Sequence, residues 1–357
     1  MIPAFATDHL SDAHLTALVG LFGGILLGLA ARLGRFCTLG AIEDLLYGGS
    51  SLRMRTWGMA IGLSILGSFS LIAFGWLDPV QSQYLAVRWM PMASILGGLM
   101  FGYGMALSGM CGYGAIARLG GGDLRSFVIV LVMGVSTYVV LTGPLAPLRD
   151  AVFHQEEITS HTAQGLAQQL SAITGLSAPA VGLIIGALIL AFSAKSREVI
   201  ATPSSIGWAA LVALAVISGW AGTSYIARTG FDAVPVVSHS FSAPLGETIL
   251  WTMTGSLRPL SFAVGSVAGV WFGAFIGSLL KGHFRWEACD DPRELRRQII
   301  GAAIMGAGAV IAMGCTVGQG LSAFSLLAVS APVTFVAILV GAAIGLRQLI
   351  EGFRRAA

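Results

Sequence analysis

The sequence predicts an all-α polytopic membrane protein of about nine transmembrane helices plus re-entrant Gly/Cys segments, arranged as two inverted pseudo-symmetric halves. Three observations predict it. The chain is too poor in charge to cover itself for water, it divides into apolar stretches of spanning length, and it repeats a glycine pattern that ends in cysteine. Only 10% of the 357 residues are charged and 55% are hydrophobic. A soluble domain carries about 25% charged residues on its solvated surface, so lipid must be the solvent of this chain. Its 48 glycines fit helices that approach closely or break at membrane depth.

Apolar stretches that cross or nearly cross a bilayer fall at about 17–31, 56–76, 93–108, 126–142, 180–194, 205–227, 259–281, 298–313 and 331–347. Several are short and run straight into a Gly-rich segment holding a cysteine. With the N-terminus outside, sixteen Lys/Arg fall on inner segments and four (Arg88, Arg149, Arg228 and Arg258) on outer ones. That asymmetry puts the N-terminus in the periplasm and the C-terminus in the cytoplasm. The expected division is an outer segment 1–16, a first half 17–142, an outer loop and linker helix 143–204, a second inverted half 205–347, and a cytoplasmic tail 348–357. The polar stretch Pro144 to Pro179 is expected to hold a short interfacial helix. Residues 1–16 carry Asp8 and Asp12 and no basic start, unlike a secretory signal. Net charge is +3 with no basic cluster among aromatics, which argues against nucleic acid. No cysteine/histidine cluster has metal-ligand spacing, so neither metal nor cofactor is expected.

Three segments superimpose without gaps. Gly23-Gly24-Ile25-Leu26-Leu27-Gly28 leads to Cys37 and Gly40, Gly97-Gly98-Leu99-Met100-Phe101-Gly102 to Cys111 and Gly114, and Gly301-Ala302-Ala303-Ile304-Met305-Gly306 to Cys315 and Gly318. In each, cysteine lies nine residues after the last of these glycines and three before the next. The first two helices run outside to inside and the third the other way. Such inverted repeats place a site between them near the midplane. A degenerate fourth copy is expected in 215–241, where Ala227-Arg228-Thr229-Gly230 echoes Ala31-Arg32-Leu33-Gly34 without a cysteine. Non-helical backbone at this depth must be covered by protein or line a cavity, so the segments after the cysteines read as re-entrant. Their helix N-termini present free N–H groups that suit an anion.

The motifs Gly34-Arg35-Phe36-Cys37, Ser108-Gly109-Met110-Cys111-Gly112-Tyr113-Gly114 and Gly314-Cys315-Thr316-Val317-Gly318-Gln319-Gly320 resemble those of the YeeE/YedE family of sulfur transport proteins. The resemblance covers roughly 17–142 and 205–347. It implies thiosulfate uptake across a bacterial inner membrane by an hourglass-shaped, pseudo-symmetric protein, with no enzymatic activity. In that family buried cysteine thiols pass the ion along, and Cys37, Cys111 and Cys315 match those positions. The implied partners are the thiosulfate ion, membrane lipid and a small cytoplasmic sulfur-carrier protein.

The chemistry of the residues is compatible with that role. Buried thiols stay neutral S–H groups, weak donors that do not repel a dianion as a carboxylate would. A pore needs binding strong enough to admit an ion and weak enough, over several sites, to release it. A lone buried cysteine is ordinarily a small core hydrophobe, but packing gives no reason to choose cysteine at one repeat position three times. Around the thiols, the expected site comprises Arg35, Gly112, Gly114, Gly314, Thr316, Gly318 and Gln319. Arg35 and Arg118 also fit plain positive-inside anchoring, and Gln319 fits either oxyanion donation or interhelical bonding. Glu43 and Asp44 can cap a helix or pair with Arg32 or Arg35, and a proton-coupling role is open to them. Cys289, outside any motif, reads as a loop thiol, and the six histidines, His239 among them, as solvated. A membrane enzyme forming a cysteine persulfide, or a transporter of another sulfur or selenium species, stays open as an alternative.

Overall fold

The computed structural model describes residues 11–154, 165–288 and 291–352. Its helices are α1 (Asp12–Leu33), α2 (Thr38–Glu43), α3 (Leu52–Ala73), α4 (Gln83–Ala86), α5 (Pro91–Ser108), α6 (Gly112–Gly120), α7 (Leu124–Leu141) and α8 (Ala146–Val152). Then follow α9 (Leu166–Thr174), α10 (Ala178–Ala194), α11 (Arg197–Ala201), α12 (Ser204–Thr229), α13 (Ala243–Thr254), α14 (Phe262–Leu280), α15 (Pro292–Ile311) and α16 (Ser330–Glu351). Two π-helical stretches, Asp44–Gly48 and Gly318–Ala323, complete the set that shapes the site.

Every one of the nine apolar stretches forms a helix. Among the described residues seven spans are long and apolar enough to cross a membrane, and eight if α9 and α10, bent by 112°, count as one. The protein is a polytopic all-α membrane protein. α15 falls short of that test because Arg293, Glu294, Arg296 and Arg297 occupy its first turns. The polar stretch before α10 holds two short helices, α8 and α9, where one was expected.

Small residues let these helices meet backbone to backbone, the usual basis of association where lipid removes the hydrophobic drive. α1 and α14 run parallel, with Gly20, Gly24 and Gly28 facing Gly265, Gly269 and Gly273. On α5 one face, Gly98 and Gly102, meets α16, while Gly97 and Gly104 meet Gly308 and Gly301 of α15. That last pair is antiparallel and joins equivalent helices of the sequence repeat. An operator that exchanges two helices while reversing their direction is a two-fold axis lying across them, in the membrane plane. Contacts outside the linker helices α9–α11 follow the same operator: α1 on α14 matches α12 on α3, α5 on α16 matches α15 on α7, and α6 on α14 matches 318–323 on α3.

His239 corrects the sequence reading. It is fully buried rather than solvated. The absence of a side chain at Gly23 admits its ring beside α1, Nδ1 lies 2.7 Å from Ser266 Oγ, and the ring sits 5.0 Å from that of Phe262.

Candidate functional site

Each cysteine module is one backbone motif. The residue two before the cysteine is left-handed in all three: Arg35 (φ 52°), Gly109 (φ 74°) and Met313 (φ 55°). This conformation stops α1, α5 and α15 and turns the chain back into the protein. The cysteine then stands at the N-cap of a short helix. Its carbonyl accepts from the backbone N–H four residues on, Ala41 at 3.1 Å, Ala115 at 2.8 Å and Gln319 at 2.8 Å. Eleven or twelve residues past the cysteine a second left-handed residue, Gly49, Gly122 or Leu327, ends the excursion. Two of the six positions carry ordinary long side chains and one a leucine, so the backbone repeats where the sequence does not.

The fourth module exists in degenerate form. Between α12 and α13 the chain runs through 230–242, and Ser242 takes the N-cap place that cysteine holds elsewhere. This loop reaches the third cysteine. Phe241 N–H donates to Cys315 Sγ at 3.3 Å, Gly318 N–H donates to the same sulfur at 3.4 Å, and Ser240 Oγ lies 3.8 Å from it. Cys111 Sγ accepts from Gly114 N–H at 3.4 Å, as a serine N-cap would. Cys37 caps nothing. Cys111 and Cys315 are buried and Cys37 is partly exposed.

Cys111 stands between the other two modules. On the Cys37 side, Gly114, whose N–H the Cys111 sulfur accepts, lines the same cavity as Cys37. Gly112 packs against the Phe241 carbonyl, so the Cys111 and Cys315 modules touch through the fourth. Thr38 and Thr316, each directly after a cysteine, have buried hydroxyls without a hydrogen-bond partner among the described residues.

A cavity opens at each end of this row. On one face a cavity of about 430 Å³ is lined by Cys37, Gly109 and Gly114 together with Arg32, Arg35, Arg53, Arg118 and Lys281, against the single carboxylate Glu43. Asp44 pairs with Arg53 at 3.1 Å, not with Arg32 or Arg35. On the opposite face a cavity of about 720 Å³ is lined by Gly314, Tyr84, Ser240, Ser242 and further hydroxyls, with Arg149, Asp232 and Glu247 as its charges. The first cavity is strongly cationic and the second is not.

Of the other expected residues, Gln319 spends its amide on the break itself. Nε2 donates to the carbonyls of Ala312 at 3.0 Å and Met313 at 3.1 Å, and Oε1 accepts from Ser330 at 3.3 Å. Gly318 faces Ser240 Oγ and Tyr84 Oη so closely that a β-carbon would lie 2.7 Å and 3.2 Å from them. Cys289 lies outside the described residues. Tyr84, Ser240 and Phe241 were not singled out from the sequence; the available signal was the alternation Ser238, Ser240, Ser242 at the end of the expected fourth copy and just past it. Among the described residues no group of His, Cys, Asp and Glu could hold a metal ion.

The family model described as sulphur transport matches residues 33–344, which include all three cysteines. The thiosulfate transporter TsuA of Escherichia coli is 26% identical over 321 residues, covering 85% of this chain and 86% of that protein. TsuA of Spirochaeta thermophila is 26% identical over 329 residues, covering 87% and 92%. A match that spans both halves and every cysteine module leads to one conclusion: the chain belongs to the sulphur transport family.

Proposed function

We propose that this protein imports thiosulfate across a bacterial inner membrane. The ion enters the hydroxyl-lined cavity from the periplasm, passes Cys315, Cys111 and Cys37 in turn, and leaves through the arginine-lined cavity to the cytoplasm, where a small sulfur-carrier protein receives it. The observation that carries this reading is the row of three thiols at helix N-caps, strung between two cavities. A dianion stripped of water needs donors at each step. Each step here offers a cysteine thiol at a helix N-terminus, a weak donor that holds an anion without trapping it. The five cations of the inner cavity would draw the ion forward. The names of the two relatives support thiosulfate as the substrate, and they support transport over enzymatic sulfur transfer.

The test is uptake of labelled thiosulfate into proteoliposomes of purified protein, with sulfate and sulfite as competitors. Saturable uptake of unchanged thiosulfate is the expected result. Sulfite release with a persulfide trapped on Cys37, Cys111 or Cys315 would replace transport by sulfur-transfer chemistry.

A further inference from the structure

Tyr84 poses a question that the thiol row does not answer. It sits on α4, a single turn between α3 and α5, and is only 7% exposed. Its place is fixed from several sides. Ser82 pairs with Val236 of the 230–242 loop, Ser82 Oγ accepts from Tyr84 N–H at 3.4 Å, and the ring meets Trp220 edge-on at 6.4 Å. A buried tyrosine hydroxyl normally finds a partner, because leaving it dry costs free energy. The Tyr84 hydroxyl is buried and has none among the described residues. It nevertheless converges with Ser240 Oγ on Gly318, Ser240 Oγ lies 3.8 Å from Cys315 Sγ, and both residues line the larger cavity.

These positions combine two kinds of donor at one point. The Cys315 sulfur already accepts two backbone N–H groups, which leaves its S–H to donate. Next to that soft donor stand two hard ones, the hydroxyls of Tyr84 and Ser240. Thiosulfate has the matching asymmetry, a sulfonate end bearing oxygen and a terminal sulfur. We propose that Tyr84 and Ser240 form a hydroxyl clamp that takes the sulfonate oxygens at the mouth of the thiol row, so that the ion arrives with its terminal sulfur turned to Cys315. The clamp rests on the thiosulfate reading above and adds to it: the cysteine-less fourth module supplies recognition of the oxyanion end, and the three others conduct the sulfur.

Uptake kinetics of the wild type, Tyr84→Phe, Ser240→Ala and Cys315→Ala in proteoliposomes test this. Tyr84→Phe keeps the ring and removes a hydroxyl without a hydrogen-bond partner among the described residues, so melting temperature should not fall. The KM for thiosulfate should rise about tenfold or more, as for a lost hydrogen bond to an anion. Sulfate, which has the oxygens and no terminal sulfur, should inhibit the wild type, and its Ki should rise in Tyr84→Phe and Ser240→Ala by the same factor as the KM. In Cys315→Ala the KM should rise with the sulfate Ki unchanged. An unchanged KM in Tyr84→Phe, a loss confined to Vmax, or a wild type indifferent to sulfate would overturn the clamp while leaving thiosulfate import standing. A wild type that takes up no thiosulfate would overturn both.

Discussion

Replacing each cysteine by alanine separates transport from folding, because the three sulfurs do unequal structural work. Cys315 Sγ satisfies two buried N–H groups, those of Phe241 and Gly318, at 3.3 and 3.4 Å. Cys111 Sγ satisfies one, that of Gly114, and Cys37 Sγ satisfies none. A buried donor left without a partner costs about 1–3 kcal/mol, and sulfur at these distances argues for the low end. Alanine should therefore destabilise by about 2 kcal/mol at 315, about 1 kcal/mol at 111 and almost nothing at 37. Uptake should follow a different order. A thiol bonded to an anion is worth about 1 kcal/mol at the barrier, so each variant should lose about fivefold in uptake. Cys37→Ala is then the informative case, with melting temperature of the wild type and uptake cut several-fold. Thermal melts in detergent and thiosulfate uptake in proteoliposomes, run on the same three preparations, give both orders. Cys37→Ala that transports at the wild-type rate while folded would refute the thiol row, and equal destabilisation at all three positions would refute the capping argument.

Three further outcomes are expected. At Gly24 a β-carbon would meet the Ser266 carbonyl, Gly269 Cα at 2.9 Å and Val270 N at 3.0 Å, so Gly24→Leu must prise α1 from α14. It should abolish the monodisperse peak in size-exclusion chromatography, whereas Gly207→Leu, with open space around it, should not. Arg35 holds a left-handed φ of 52° at about 1–2 kcal/mol of strain. Arg35→Gly should leave the melting temperature unchanged, since glycine's greater unfolded entropy offsets the relief; uptake should fall and depend less on ionic strength, and identical salt dependence would remove Arg35 from the path. Finally, a fluorescent reporter fused after Ala357 should fluoresce and an alkaline phosphatase fusion should be inactive; active phosphatase would invert the orientation.

The helices were legible because lipid leaves a simple record: α10 and α14 are almost wholly apolar, and hydropathy finds them. The breaks at 37, 111 and 315 were legible because the glycines that pack these helices are followed each time, at one spacing, by a cysteine for which packing gives no reason. Less was readable where the backbone repeats without a residue signature. Left-handed Arg35, Met313 and Leu327 look like ordinary side chains in the sequence. The fourth module hides for the same reason, having exchanged cysteine for Ser242 and lengthened its break. His239 misleads because a lone histidine among serines looks like loop; only the folded neighbours Gly23 and Ser266 reveal that it is core. α4 is too short for any periodicity, so Tyr84 could be found only in three dimensions.

The exchange of helices between halves has a consequence for synthesis. α1 finds its main glycine-faced partner in α14, roughly 230 residues later in the chain, and α5 finds its main partners in α15 and α16. At about 5–20 residues per second, α1 waits on the order of 10–50 s in the bilayer with that stripe turned to lipid. The first half cannot mature alone. Its first four spans must be held apart from other nascent chains until the second half inserts, so a ribosome stalled before α14 leaves an orphan with its most adhesive surfaces bare. Quality control of this protein therefore hinges on finishing translation, and the last third of the message decides the fate of the first.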